Sequence, residues 1–215
     1  MRVIAIDGPA GAGKSTVARA LAEMLGLDYL DTGAMYRAIT FAAMERNLCL
    51  DDAAAVGSLA RSVALEVGES GVIVDGFDAT TAIRTAAVTA AVSKVAANSE
   101  VRTEMRARQQ QWAADHGGGV IEGRDIGSVV FPDAELKLYL TASPRTRAQR
   151  RVAQSGGDVD EIEASIAARD HYDSTRADSP LTFADGSIVV DTTGSRIDQV
   201  LAHIAELMSR GSGQQ

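Results

Sequence analysis

The chain has 215 residues, of which 46% are hydrophobic and 23% charged, an ordinary balance for one folded core that rules out disorder, collagen and coiled coil. No apolar run approaches the roughly 18–20 residues that a membrane helix needs. A net charge of −8 argues against a sequence-independent nucleic-acid binder, which carries a basic surface.

Residues 2–7 (RVIAID) are a short apolar run ending in Asp7, the pattern of a buried parallel strand. Asp7 and Gly8 cut that run short, so the start does not read as a signal peptide. With Cys49 as the single cysteine, no intrachain disulfide forms, and an intracellular, cytoplasmic location is expected. Residues 13–25 follow with Val17, Leu21, Met24 and Leu25 at helical spacing and Gly26 as a stop. Residues 27–31, 120–123, 136–140 and 188–191 are further buried-strand candidates. Residues 63–67, 72–75 and roughly 77–84 read as short antiparallel strands, with turns near Glu69-Ser70-Gly71 and Asp75-Gly76, so 63–85 is expected to form a small β insertion. A helix over 99–115 carries Val101, Met105 and Trp112 on one face, with Asn98-Ser99 as cap candidates. Ser143-Pro144 is an N-cap and N1 pair for 145–154. Ser195 and Asp198 suggest a capping box for 196–208, and 209–215 reads as a flexible tail. Strands alternating with helices imply an α/β fold built on a parallel sheet.

Gly8-Pro9-Ala10-Gly11-Ala12-Gly13-Lys14-Ser15 matches GxxxxGK[ST] in full. The glycines let several backbone N–H groups converge on one anion, and the following helix adds its positive end. Lys14 would reach the β- and γ-phosphates, and the Ser15 hydroxyl would meet Mg²⁺. The expected strand precedes this loop and the expected helix follows it. No Asn-Lys-x-Asp motif is present to mark a GTPase.

The chain holds 18 arginines against three lysines, and arginine grips phosphate through two parallel hydrogen bonds. Asp31 to Arg37 (DTGAMYR) follows the second strand. Strand C-terminal ends face the ligand crevice in such sheets, so Thr32, Tyr36 and Arg37 either touch a substrate or merely start a helix. Arg124-Asp125 follows the third strand, either as an ion pair pinning a loop or with Arg124 on phosphate and Asp125 on an amino group. Residues 143–151 hold four arginines, suiting a solvated helix face or a lid that brings cations to a transferring phosphoryl group. Arg169, Asp173 and Arg176, at i, i+4 and i+7, share a face if helical, as a salt-bridge ladder or as contacts to a sugar and a base. His116, His171 and His203 show no metal-ligand spacing, and Trp112, Met35, Met105 and Met208 read as packing residues.

Together IDGPAGAGKST at 6–16, LDTGAMYR at 30–37, the segment 83–102, IEGRDIGSVVFPDA at 121–134 and RDHYDSTRADSPL at 169–181 resemble the bacterial cytidylate kinases, within the nucleoside monophosphate kinase family. They span most of the chain. The resemblance implies a P-loop core from 1–35, 117–145 and 181–208, an acceptor-binding region over 36–116 carrying the insertion, and a short helical lid over 145–180. It implies a monomer that transfers a phosphoryl group from MgATP to CMP or dCMP, giving CDP or dCDP, with no nucleic-acid or membrane partner. Gly8, Pro9, Ala10, Gly11, Ala12, Gly13, Lys14, Ser15 and Thr16 would bind ATP, with Ser15 on Mg²⁺. Arg37 and Arg124 would hold the acceptor phosphate. Ser93, Arg102, Asp125 and Arg176 would read cytosine, Tyr36, Arg169 and Asp173 would lie by the sugar or phosphate, and Thr32 would supply a hydroxyl to the substrate. Lys14, Arg37, Arg124 and the lid arginines Arg150 and Arg151 would carry catalysis. Other readings of the loop are a shikimate- or gluconate-type kinase, or a nucleotide sensor without transfer activity.

Overall fold

Strand β1 (Arg2–Asp7) is buried from Val3 onward and sits at the centre of a five-stranded sheet. A computed structural model describes residues 1–68 and 70–211. After β1 come α1 (Lys14–Leu25), β2 (Tyr29–Asp31), α2 (Thr32–Glu45), α3 (Ala53–Ser62), β3 (Leu65–Gly68), β4 (Gly71–Val74) and β5 (Phe77–Asp78). Next are α4 (Ala86–Ala96), α5 (Ser99–Asp115), β6 (Gly118–Glu122), β7 (Leu136–Thr141), α6 (Pro144–Ser155), α7 (Val159–Thr175), β8 (Ile188–Asp191) and α8 (Ile197–Gly211). The large sheet has the order β2-β6-β1-β7-β8 with parallel pairing throughout. β3, β4 and β5 form a separate antiparallel sheet. Among the described residues no helix is long and apolar enough to cross a membrane.

Alternation along β1 divides the core in two. Val3 and Ala5 face one layer with Leu30, Met35, Ile39, Val101, Met105 and Ile121. Ile4 and Ile6 face the other with Val17, Leu21, Val120, Leu138, Leu140 and Ile204. A side chain of this size contributes about 1.5–3 kcal/mol when fully buried. Three layers, helix–sheet–helix, therefore hold the carboxyl ends of the central strands at one level. Ile6 stands opposite Glu122, Asp31 opposite Glu122, and Asp7 opposite Tyr139.

The expected strands and the small β insertion are present, with some boundaries moved. The third strand of the insertion stops at Asp78. There the Asp78 carboxylate accepts the Thr80 N–H (3.0 Å) and the Thr80 hydroxyl accepts the Val72 N–H (2.9 Å), ending the ladder before a 3₁₀ turn at Ala82–Arg84. The α8 start is capped one residue later than expected: the Gln199 side chain accepts the Arg196 N–H (3.0 Å), where the capping box placed Asp198 opposite Ser195. α8 runs on to Gly211, so 209–211 are helical rather than tail. Glu69 of the expected turn and 212–215 of the expected tail lie outside the described residues. Asn98 and Ser143 cap α5 and α6 as read from sequence. Trp112 is only partly buried and stacks on His116 at 4.3 Å.

Gly8 sets how close β1 comes to β7. Its φ is +142°, and a Cβ there would run into the Leu140 carbonyl oxygen. Gly8→Ala is therefore expected to lower stability by at least about 2 kcal/mol, as read by urea unfolding; a loss below 0.5 kcal/mol would show that the loop relaxes freely.

Candidate active site

The phosphate loop spans 8–15 between β1 and α1. Gly11 and Gly13 take positive φ (78° and 91°), and the first turn of α1 has no side-chain cap, so its leading N–H groups suit an anion. Lys14 is buried, and its Nζ donates to the Pro9 carbonyl at 3.0 Å. Burial, with Arg124 nearby, pushes its ammonium down to about 7. Thr192 from the loop after β8 closes the far side, its hydroxyl donating to the Ala12 carbonyl at 2.9 Å.

Glu122 ends β6 beside this loop and is the principal residue that the sequence reading missed. It is 3% exposed. Its carboxylate accepts from the Tyr29 hydroxyl, while its carbonyl accepts from Thr32 Oγ1 at 2.7 Å. Burial and Asp31 raise its carboxyl above the usual range, and Lys14 pulls it back. The signal was present as an acid at the end of a predicted buried strand. Ser15 and Glu122 offer hard oxygen donors at the loop, the set that Mg²⁺ prefers. Among the described residues no three acids, histidines or cysteines group into a metal cage; Mg²⁺ ordinarily takes one or two protein oxygens and completes its shell with phosphates and water.

A cationic cluster faces this centre. Arg37 donates to the Ile83 carbonyl (3.0 Å) and Thr89 Oγ1 (2.9 Å). Arg124 donates to Asp173 (3.2 Å), and Arg169 lies 3.8 Å from the same carboxylate. Burial and mutual repulsion among Arg37, Arg124, Arg151 and Arg169 push Arg37 and Arg169 down to about 10. The Arg169 Nε is buried with no hydrogen-bond partner. Guanidiniums held against one another in this way make a site for a multiply charged anion.

The arginines of α6 divide. Arg151 acts electrostatically on Arg37 and Arg169, whereas Arg150 is tied to Thr192 (2.9 Å to Oγ1, 2.7 Å to O) and the Gly11 carbonyl (3.4 Å). Arg147, within the run read from sequence as supplying arginines to a phosphoryl group, is buried against the loop. It donates to Ala10 and Ala142 carbonyls (both 3.1 Å) and to Asp170 (2.6 Å).

Beyond the cluster lies a buried ionic triad. Asp125, 4% exposed, pairs with Arg102 and stands 3.5 Å from Arg176. Burial raises its carboxyl above the usual range against the pull of both guanidiniums. The Arg102 guanidinium lies 5.7 Å from the Tyr36 ring centre and donates to the Ala96 carbonyl (3.3 Å), three residues beyond half-buried Ser93 on α4. Arg176 does not extend the helical face of Arg169 and Asp173. α7 ends at Thr175, and Arg176 is an extended cap residue (ψ 145°) whose side chain turns to Asp125. Asp178 completes the cluster, its carboxylate 3.4 Å from Arg102 and 4.0 Å from Arg106. Arg106, one turn after Arg102, was legible as a pair on one helix face; Asp178 sits in a loop with no sequence signal. A hollow of about 330 Å³ beside Trp112 and Leu65 holds none of these residues.

A glycine phosphate loop, this strand order and two helices bearing arginines over the loop define a P-loop kinase fold. A cytidylate kinase family model matches residues 4–210, and the chain belongs to the cytidylate kinase family. It is 47% identical to a cytidylate kinase of Mycobacterium leprae (strain Br4923), over 98% of this chain and 97% of that one. It is 48% identical to a bifunctional pantoate ligase/cytidylate kinase of Synechococcus sp. (strain CC9311), over 99% of this chain but 45% of that longer protein. A gluconokinase structure from Sinorhizobium meliloti 1021 shares the fold at a TM-score of 0.52 and 14% identity, covering 100% of this chain and 97% of that one.

Removing Asp125 strands two buried guanidiniums. Asp125→Ala is expected to cost about 3–5 kcal/mol in the free protein, measured by urea unfolding. A loss under 1 kcal/mol would mean that water satisfies Arg102 and Arg176 instead.

Proposed function

We propose that this chain transfers the γ-phosphoryl group of MgATP to CMP or dCMP, with the Arg102–Asp125–Arg176 triad reading cytosine and the guanidinium cluster holding the acceptor phosphate. The observation that carries this reading is the triad itself. Cytosine offers an amino donor at N4 and acceptors at N3 and O2. A carboxylate flanked by two guanidiniums is the complementary pattern. Uracil would set a carbonyl oxygen against the Asp125 carboxylate, acceptor facing acceptor, a mismatch worth about 1–3 kcal/mol or more. Tyr36 beneath Arg102 supplies a flat apolar wall for the base.

The acceptor phosphate would enter among Arg37, Arg124, Arg151 and Arg169, where a dianion relieves their repulsion. Its oxygen is already largely ionised near pH 7 and needs no strong general base. That oxygen bonds to the γ-phosphorus in line, the bond to the β,γ-bridging oxygen breaks, and ADP leaves with the electron pair. Catalysis is then positioning and charge stabilisation. Lys14 would leave the Pro9 carbonyl for the ATP phosphates, whose charge restores its ammonium. Arg151 would face the transferring group and Arg150 the nucleotide side of the loop. Ser15 and Glu122 would hold Mg²⁺, which when bound offsets phosphate charge. Residues 36–116 would form the acceptor side, and 145–180, with Gly156 and Gly157 at its tip, the lid that excludes water.

Three outcomes test this. ADP release with MgATP is expected to be stimulated strongly by CMP and dCMP, weakly by UMP and AMP, and not by shikimate or gluconate; a preference for a sugar or shikimate would sink the acceptor assignment. Lys14→Ala is expected to lower kcat by about 10²–10³ while leaving the fold intact by circular dichroism; unchanged turnover would remove the loop's role. Arg151→Met should lower kcat and Arg150→Met should raise KM for ATP, each by about tenfold or more; the reverse pattern would exchange their roles.

A further inference from the structure

Asp7 is absent from every role above, yet it is the last residue of the central strand and directly precedes the phosphate loop. It is 4% exposed. Its carboxylate is committed on both oxygens: Oδ1 accepts the Ile126 N–H and Oδ2 accepts the Gly127 N–H, each at 2.8 Å. These are the two residues that follow Asp125. At the other end of the same segment, the Gly123 N–H donates to the Ile6 carbonyl at 2.9 Å. Arg124 and Asp125 are therefore the two residues between a pair of anchors, both on the strand that feeds the phosphate loop. The Asp125 carbonyl then accepts from Val129 (2.9 Å) and Val130 (3.2 Å), opening the π-helical turn Ile126–Val130.

We infer that Asp7 is the positioning residue for acceptor selection, holding the Arg124–Asp125 loop in reading geometry before any acceptor binds. The inference rests on the assignment of Asp125 to the base. A carboxylate suits the task because two adjacent N–H groups at the start of a helical turn both point at it, and only an ionised acid accepts from both. Burial raises the Asp7 carboxyl to about 6, while the Gly127 and Ile126 N–H bonds favour its ionised form. Asparagine in the same place offers one acceptor and one NH₂ donor, and the donor would oppose a backbone N–H. Because β1 also launches the phosphate loop, one side chain sets the acceptor-reading groups relative to Lys14. A loop fixed in advance loses no freedom when the acceptor docks.

The test compares Asp7→Asn with Asp125→Asn at a temperature where both are folded. Asp7→Asn is expected to raise KM for CMP about tenfold and to lower the CMP-to-UMP ratio of kcat/KM about fivefold or more, with KM for ATP within about twofold of wild type. Equal losses for CMP and UMP, or a loss confined to ATP, would overturn the inference. If Asp125→Asn itself keeps the wild-type CMP-to-UMP ratio, the base-reading assignment fails instead, and the two failures are separate. Should Asp7→Asn not fold, hydrogen exchange on the wild-type enzyme decides. The Ile126 and Gly127 amides should exchange as slowly as those of β1 in the free enzyme and gain less than about threefold on adding CMP. A gain of about tenfold or more would show that the acceptor assembles the loop, which overturns the pre-setting role.

Discussion

The cleft depends on the parallel pairing of β1 with β2's neighbour, β6. That ladder sets Ile6 opposite Glu122 and, one strand over, Asp31 opposite Glu122. Carboxyl ends that finish together expose their next residues on one rim. The phosphate loop leaves from β1, α2 with Tyr36 and Arg37 leaves from β2, and the Arg124–Asp125 segment leaves from β6. A one-residue slip of β6 would exchange the side chains on its two buried faces and carry Glu122 away from Ser15 and Lys14. Every later contact inherits this register.

Charge burial is the second constraint, and it is met differently on the two sides of the cleft. At the triad, Asp125 and Asp178 offset Arg102, Arg106 and Arg176, so the charges there are close to balanced. At the second cluster, Arg124 and Arg169 share Asp173, and Arg37, Arg124 and Arg169 remain in mutual repulsion. A balanced pocket suits a neutral base, and an unbalanced one suits a dianion. The folded state bears the electrostatic cost of that imbalance, as binding sites commonly do.

The arginines that line the cleft are bound to backbone carbonyls as well as to acids. Arg37 holds the 3₁₀ turn at Ile83, Arg147 holds Ala10 and Ala142, and Arg150 holds Thr192. These bonds tie the 3₁₀ turn and the α6–α7 pair to the core, so a change at any of them moves a guanidinium and a loop together. Arg145, paired with Asp160 and Glu163, links α6 to α7 on the exposed face, where such pairs contribute little.

By itself the sequence determined the alternation of strands and helices, the phosphate loop with its flanking elements, and most of the residues that converge on the cleft. These are legible because they are local: a glycine spacing, an apolar period, a cap. The partners of those residues were decided only in three dimensions. Nothing local separates Arg150 from Arg151, yet adjacent residues on a helix point about 100° apart, and the packing of α6 sends one to Thr192 and the other to the cationic cluster. Arg176 was expected to share a helical face with Arg169, but the end of α7 turned it to Asp125. Asp7, Glu122 and Asp178 act on groups more than 70 residues away in sequence, across strand ends and loops, and no period in the chain records such a distance. Short-range pattern fixes which element forms; long-range packing in a dry interior, where every charge needs a partner, decides what each side chain meets.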